Sequence, residues 1–330
     1  MEEVAACADR VRAGIAPSAD HAPTISVVIP ARNAARFIGE AITSALAQTA
    51  PPLEVLVVDD GSTDDTRSVV ERFDGLVRYL PLPPGGPARA RNAGIRAARG
   101  SHVAFLDADD SWLPDKLECQ LAVLGAEPDL SLVYVGWDLV DEDGTFMRTV
   151  PCQPECSGRM AAHALLIKNS IQVSGVVASR EALLAAGLFD PDLPSCENWD
   201  LWIRLARLGR VGFVDAPLVR YRVRNGGRIR DVSRMRGARL EVLARHHPKR
   251  RGPTWRRALA LAYLDSGIGY LELGSRCAAV ADLLRSLCIR PAAAPCIQLV
   301  RAVLPPTMRH SLGRARARVR GRWRAWLRAR

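Results

Sequence analysis

At 330 residues, 48% hydrophobic and 25% charged, the chain has the composition of an ordinary globular protein, with room for one large domain and a smaller one. No window approaches the ~18 uninterrupted apolar residues of a membrane-spanning helix. The acidic start Met1-Glu2-Glu3 lacks the basic lead of a secretory signal, so a cytoplasmic protein with reduced thiols is expected. The net charge of +11 is unevenly held: Arg236 to Arg330 carries 21 basic and 4 acidic residues, leaving the first 235 residues acidic by 6. Two parts with different partners are therefore expected.

Residues 1–23 read as a loosely ordered lead-in. Ile25 to Ile29 is a buried strand stopped by Pro30, and Asn33 is placed to cap the next helix, where Phe37, Ile38, Ala41, Ile42, Ala45 and Leu46 share a face. Val55 to Val58 makes a second strand running into Asp59-Asp60-Gly61-Ser62, with Ser62 and Asp65 matching a capping box. A weaker strand, Leu76 to Leu80, leads through a proline- and glycine-rich loop to the helical segment Ala88 to Arg99. Val103 to Leu106 is again a buried strand, and a helix over Pro114 to Leu124 and a strand over Leu130 to Val135 follow.

Residues 137–157 suggest an irregular hairpin, Ile171 to Ala178 a strand, Arg180 to Ala186 a short helix, and Glu197 to Leu208 a helix with Leu201, Leu205 and Leu208 on one face. Val211 to Val214 and Tyr221-Arg222 close this region, and Asn225-Gly226-Gly227 marks a boundary. Residues 254–290 have helical patterning. In the last stretch Met308, Leu312, Ala315, Val319, Trp323 and Trp326 form a stripe among arginines, which suits an anionic membrane surface; RNA binding is the lesser reading.

Strands alternating with helices at this spacing mean a mostly parallel sheet with helices on both faces, and ligands bind such sheets beyond the carboxyl ends of the strands. Three strands deliver polar groups there: Asn33, the pair Asp59 and Asp60, and the trio Asp107, Asp109 and Asp110. Three carboxyls within four residues repel one another, and a hard divalent cation, Mg²⁺ or Mn²⁺, relieves that repulsion. Taken alone, an acidic turn capping the following helix accounts for the same residues equally well.

Ile25-Ser-Val-Val-Ile-Pro-Ala-Arg-Asn33, Val57-Val-Asp-Asp-Gly-Ser62, Ala90-Arg-Asn-Ala-Gly94, Phe105-Leu-Asp-Ala-Asp-Asp110 and Glu197-Asn-Trp-Asp-Leu-Trp-Ile-Arg204 resemble, in order and spacing, family two glycosyltransferases. The resemblance covers roughly residues 24–222. It implies an α/β protein with the A-type glycosyltransferase fold, a Rossmann-like mostly parallel sheet with flanking helices, followed here by a helical basic C-terminal region. The expected organisation is a lead-in over 1–23, a catalytic domain over 24–228, a helical appendage over 229–304 and an Arg-rich tail over 305–330.

The resemblance also implies roles. Pro30, Ala31 and Asn33 would line a pocket for a nucleoside-diphosphate sugar, with Arg32 where many members carry an aromatic residue. Asp60, with Asp59 beside it, would accept from the base ring; Arg91 would lie near the diphosphate, or be an ordinary surface-helix arginine. Asp110 would hold Mn²⁺ or Mg²⁺, and Asp109 would face the sugar–nucleotide and share the metal. The usual Glu-Asp pair appears here as Glu197-Asn198, and an amide takes no proton. Glu197, which adjoins the vacant position and is preferred, or Asp200 must then serve as base, or the chain turns over little; for Asp200 a salt bridge to Arg204, four residues on, is the stronger reading.

Processive members of the family it resembles usually carry a Gln-x-x-Arg-Trp motif and a membrane span; neither is found, so the resemblance implies one sugar added per encounter, and a membrane-seeking tail would suit a lipid-linked or other envelope-glycan acceptor. A dinucleotide-dependent oxidoreductase is excluded because Pro30 to Ala35 contains no glycine. A transferase-like protein that binds nucleotide-sugar or glycan without turning it over is the remaining alternative.

Overall fold

The computed structural model describes residues 23–303, apart from 159, 225–230 and 248. The lead-in before residue 23, the Asn225-Gly226-Gly227 boundary and the Arg-rich tail over 305–330 lie outside the described residues. The chain divides into two compact units, Met1–Arg228 and Ile229–Arg330.

The first unit is built on one nine-stranded sheet. Its strands are β1 (Ile25–Ala31), β2 (Glu54–Asp60), β3 (Arg78–Leu82), β4 (His102–Phe105), β5 (Ser111–Trp112), β6 (Leu130–Val140), β7 (Phe146–Val150), β8 (Val177–Ser179) and β9 (Arg210–Arg222). The order is β3-β2-β1-β4-β8-β6-β9-β5, with β7 paired to β6. β3, β2, β1 and β4 run parallel, as do β6 and β9, whereas β8 is antiparallel to both of its neighbours. β5 and β7 also pair antiparallel, but the parallel ladders are the longer ones, so most paired residues are in parallel register.

Among the described residues seven α-helices accompany this sheet: α1 (Ile38–Leu46), α2 (Thr66–Glu71), α3 (Pro87–Ala97), α4 (Lys116–Ala126), α5 (Ala161–Leu165), α6 (Arg180–Ala185) and α7 (Glu197–Leu208). Burial on both faces explains why β1 and β2 are near-continuous apolar runs rather than alternating ones. Val27, Ile29, Val55 and Val57 join Ile38, Ala41 and Ile42 of α1 in one cluster. On the opposite face Phe105 packs edge-on to Phe189 and beside Trp202 of α7. α3 presses closest to the sheet at Gly94, where a Cβ would lie 2.4 Å from Val28 Cγ1.

Several local expectations are corrected. Pro30 does not stop β1, which pairs through it to Ala31 beside Asp59. Helix α1 begins after Phe37, not at an Asn33 cap, and at α2 it is Asp64, not the expected Ser62 and Asp65, whose side chain accepts from the first helical N–H, that of Thr66, at 3.0 Å. The strand expected over Ile171 to Ala178 is interrupted by a 3₁₀ turn, Val173–Gly175, and only its end joins the short β8. The expected Val211 to Val214 strand instead runs from Arg210 through to Arg222, and β6 continues to Val140 before turning into β7.

The second unit contains α8 (Val232–His246), α9 (Pro253–Glu272), α10 (Arg276–Ile289) and α11 (Ala293–Val303). Its centre holds a fully buried carboxylate, Asp282, which accepts from Ser266 Oγ at 2.6 Å and Arg285 Nη1 at 2.9 Å and pairs with Arg236. Among the described residues no helix is long and apolar enough to cross a membrane.

Because Gly94 allows the helix that carries Arg91 to approach β1, Gly94→Ala should cost about 1–3 kcal/mol through overpacking against Val28. Thermal unfolding of the variant checks this; an unchanged Tm would show that α3 shifts away freely.

Candidate active site

The polar groups expected at the carboxyl ends of β1, β2 and β4 do converge, and each is held by a different device. After β1, Asn33 takes a left-handed backbone (φ 49°) that asparagine tolerates. Its N–H donates to Ser62 Oγ at 3.0 Å, and its Oδ1 accepts from Thr63 N at 2.8 Å. Asn33 and Ser62 thus staple the loop after β1 to the loop after β2 instead of capping helices.

At the end of β2, Asp59 and Asp60 are both buried. Asp59 accepts from Ser62 N at 2.8 Å and from the Tyr79 hydroxyl. Burial, and then Asp59, push the Tyr79 phenol up to about 12, so it remains a donor at any ordinary pH. Asp60 Oδ1 accepts from Gly85 N at 2.6 Å, and its Oδ2 from Gly86 N at 2.9 Å. It thereby shapes the loop before α3. Arg32, with a half-exposed side chain, approaches Asp60 Oδ2 at 3.6 Å, so Pro30, Ala31, Arg32 and Asn33 form one rim with Asp59 and Asp60.

Beyond β4 the chain turns tightly, with Asp110 N donating to the Asp107 carbonyl at 3.0 Å. The three carboxylates then part company. Asp110 is 2% exposed and turned inward: Oδ2 accepts from Ser174 Oγ at 2.5 Å and Gln172 Nε2 at 3.1 Å, and Oδ1 from Arg222 N at 3.0 Å. Burial, then Asp107 and Asp109, raise its carboxyl well above the usual range despite those donors. Asp107 and Asp109 are the pair that reaches the open edge, with side chains 26% and 30% exposed. Asp109 is also raised, by burial and then by Asp107, against the pull of Arg224. The metal role expected of Asp110 therefore falls on a carboxylate whose oxygens already accept three hydrogen bonds, while its neighbours stand at the surface.

Arg91 is no surface-helix residue. It is 5% exposed, donates from Nη2 to Asp107 Oδ1 at 2.7 Å and from Nη1 to Glu197 Oε1 at 2.9 Å, and lies over the Phe189 ring. Burial alone would weaken its hold on its proton, but Asp107 and Glu197 together raise it above an ordinary guanidinium. Glu197, at the start of α7, is brought to the site through this bridge. Asp200 is not: it is 3% exposed, and its Oδ2 accepts from Arg204 Nη2 at 2.6 Å and Nε at 2.9 Å. Arg204 also donates to the Ala186 and Leu188 carbonyls. Of the two roles weighed for Asp200, base or salt bridge, the structure shows the salt bridge to Arg204. Asn198 Oδ1 accepts from Trp199 N at 2.8 Å.

Sequence reasoning missed Gln172, Ser174, Tyr79, Arg222 and Arg224. The polar alternation Gln172-Val-Ser174 inside an apolar run was the available signal for the first two. Arg222 Nη2 donates to Glu40 Oε2 at 2.6 Å and its Nε to the Asp109 carbonyl at 3.0 Å, riveting β9 to the acidic turn.

Arg204→Ala should destabilise the protein by about 3 kcal/mol, since it removes the cation facing a buried carboxylate. Urea unfolding checks this; an unaltered midpoint would show that Asp200 is held by other means.

The sequence profile of the family described as glycosyl transferase family 2 matches residues 26–186. A putative teichuronic acid biosynthesis glycosyltransferase of Bacillus subtilis, TuaG, is 31% identical over 210 residues, covering 62% of this chain and 80% of that protein. An uncharacterized glycosyltransferase of Rickettsia felis is 30% identical over 217 residues, covering 61% of this chain but only 34% of that protein, so the chain spans about a third of that relative. Among solved structures, the mannosyltransferase PcManGT from Pyrobaculum calidifontis, in complex with GDP-Man and Mn²⁺, is 22% identical with a TM-score of 0.57, covering 89% of this chain and 85% of that one. It has the same fold.

Proposed function

The chain belongs to glycosyl transferase family 2, and from that premise we propose that it transfers one sugar from a nucleoside-diphosphate sugar to a hydroxyl acceptor with inversion. The observation that carries this reading is that the buried Arg91 joins Asp107 to Glu197, with Asp109 two residues on facing Arg224, at the end of the strand next to the one that carries the nucleotide rim. The rim formed by Pro30, Ala31, Arg32 and Asn33 with Asp60 suits a nucleotide. Arg32 leaves its long contact with Asp60 and lays its planar guanidinium on the base, and Asp60 accepts from the base ring.

A divalent cation fits the donor set. Among the described residues no group of three or more His, Cys, Asp and Glu is arranged to hold an ion. One or two carboxylates completed by substrate phosphate is the usual setting for Mg²⁺, and hard oxygen donors suit Mn²⁺ equally. Asp109 with Asp107 would hold the ion, in place of the inward-turned Asp110. Bound there, it would offset the charge that develops on the departing diphosphate.

A nucleoside diphosphate leaves as an anion and needs no proton, so the protein must handle only the acceptor hydroxyl. Glu197 takes that proton. It adjoins Asn198, opens α7 and is oriented by Arg91, which keeps Asp107 as its second partner when Glu197 becomes neutral. A second reading, nucleotide-sugar binding without turnover, is favoured by Asn198, whose amide is engaged with Trp199 N.

The relative named for teichuronic acid biosynthesis supports a cell-surface glycan, built on a glycan or lipid-linked acceptor, as the product class. The Arg-rich stretch over 305–330 would hold a cytoplasmic enzyme on an anionic membrane face. Sedimentation with anionic liposomes, lost at high salt or on removing residues 307–330, is the expected behaviour; no sedimentation at low salt would end that proposal.

Thermal shift with a panel of UDP-, GDP- and dTDP-sugars should show stabilisation of about 2–3 kcal/mol at a hundredfold excess over Kd. That stabilisation should require Mn²⁺ and vanish in Asp109→Asn. Glu197→Gln should keep the shift and lose about 10²-fold or more in turnover. Donor binding with neither transfer nor slow hydrolysis in the unaltered protein would select the second reading.

A further inference from the structure

Beyond β9 the chain alternates as an extended segment, so Arg222 and Arg224 project to one side and Tyr221 and Val223 to the other. Both guanidinium groups accordingly lie over the Phe37 ring, 5.0 and 5.4 Å from its centre. Their circumstances differ. The Arg222 side chain is 5% exposed and tied to Glu40, Glu142 and the Asp109 carbonyl. Arg224 is 44% exposed, and its Nη1 meets Asp109 Oδ2 at 3.4 Å, too long for a strong charge-assisted bond. The backbone beneath it is anchored, with Arg222 N on Asp110 and Val223 N on the Val140 carbonyl at 2.9 Å. Movement of Arg224 is therefore a side-chain movement.

Asp109 is the carboxylate proposed above for the divalent cation, and Arg224 is the cation now facing it. Arg91 is buried and bridged twice, and Arg222 is riveted, which leaves Arg224 as the partly exposed guanidinium on this acid. We propose that Arg224 stands in for the divalent ion on Asp109 until donor arrives, then turns its fork onto the donor diphosphate as the ion takes the carboxylate. The proposal rests on the donor-binding reading of the site and assigns Arg224 as a positioning residue for the diphosphate. An arginine fork matches phosphate oxygens in two contacts, which a carboxylate approached at 3.4 Å does not use. The exchange keeps Asp109 compensated throughout, first by one charge on the protein and then by two on the ion.

A stand-in makes two predictions of opposite sign, which a merely structural arginine does not. Mn²⁺ alone, titrated by electron paramagnetic resonance, should bind Arg224→Ala about three- to fivefold more tightly than the unaltered protein, the scale of an exposed ion pair. UDP or GDP, whichever the unaltered protein binds with Mn²⁺, should bind Arg224→Ala about tenfold more weakly by calorimetry. Arg224→Lys should keep near-normal Mn²⁺ affinity, because the charge remains, and still lose nucleotide affinity, because the fork is gone. An Arg224→Ala protein in which Mn²⁺ binding is unchanged or weakened, or nucleotide binding is unchanged, overturns the role of Arg224 while leaving donor binding intact. Failure of the unaltered protein to bind any nucleotide with Mn²⁺ overturns the donor-site reading and this role with it.

Discussion

Mutual repulsion among the three carboxylates that follow β4 is the constraint from which the arrangement of the site follows. Two unit charges 4 Å apart interact by about 4 kcal/mol at the effective dielectric of a protein edge, so each acid needs its own compensation. Asp107 receives it from a buried guanidinium, Asp110 from a hydroxyl, an amide and a backbone N–H, and Asp109 from an arginine at the surface. These donors come from α3, from the 3₁₀ turn over 173–175 with Gln172, and from β9 and the residues just after it. Neutralising one four-residue turn therefore ties together elements that the chain order keeps far apart.

Helix α3 shows how closely the tasks are divided. Arg91 carries the charge, while Asn92 Nδ2 donates to the Phe189 carbonyl at 2.8 Å and its Oδ1 accepts from Phe189 N at 3.0 Å. Gly94 removes the Cβ that would otherwise keep the helix off β1. The clamp on Phe189 holds that ring beneath the Arg91 guanidinium and edge-on to Phe105 and Trp202. Placing a buried charge costs several kcal/mol unless it is paired and fixed, and here the fixing is done by Asn92 and Gly94, which share the five-residue motif Ala90 to Gly94 with Arg91.

What was legible in the sequence was what depends on local pattern. β1, β2 and β4 are short apolar runs ended by polar residues, and burial on both faces leaves no other place for them. Convergence of Asn33, Asp59, Asp60 and the acidic turn follows from parallel pairing alone. Illegible were the uses to which side chains are put by partners distant in the chain. Asn33 and Ser62 have the chemistry of caps, but each finds the other's loop first. Pro30 was read as a strand breaker because its missing N–H is visible and its parallel neighbour is not. Which of Asp107, Asp109 and Asp110 turns inward is decided by Ser174, 64 residues on, and by Arg222, 112 residues on. Spacing within the motif carries no trace of that decision.

The Glu197 side of the site obeys the same electrostatics. Arg91 already serves two carboxylates, and an aspartate at 198 would add a third acid next to Glu197; the amide there removes that demand. Asp200 is taken out of the count by Arg204, and the same arginine binds the carbonyls of Ala186 and Leu188. That arrangement fastens the first turn of α7 to the segment leading to Phe189, and with it the position of Glu197. Asp200 thus holds the helix, and Glu197 is the acid of α7 whose orientation Arg91 controls.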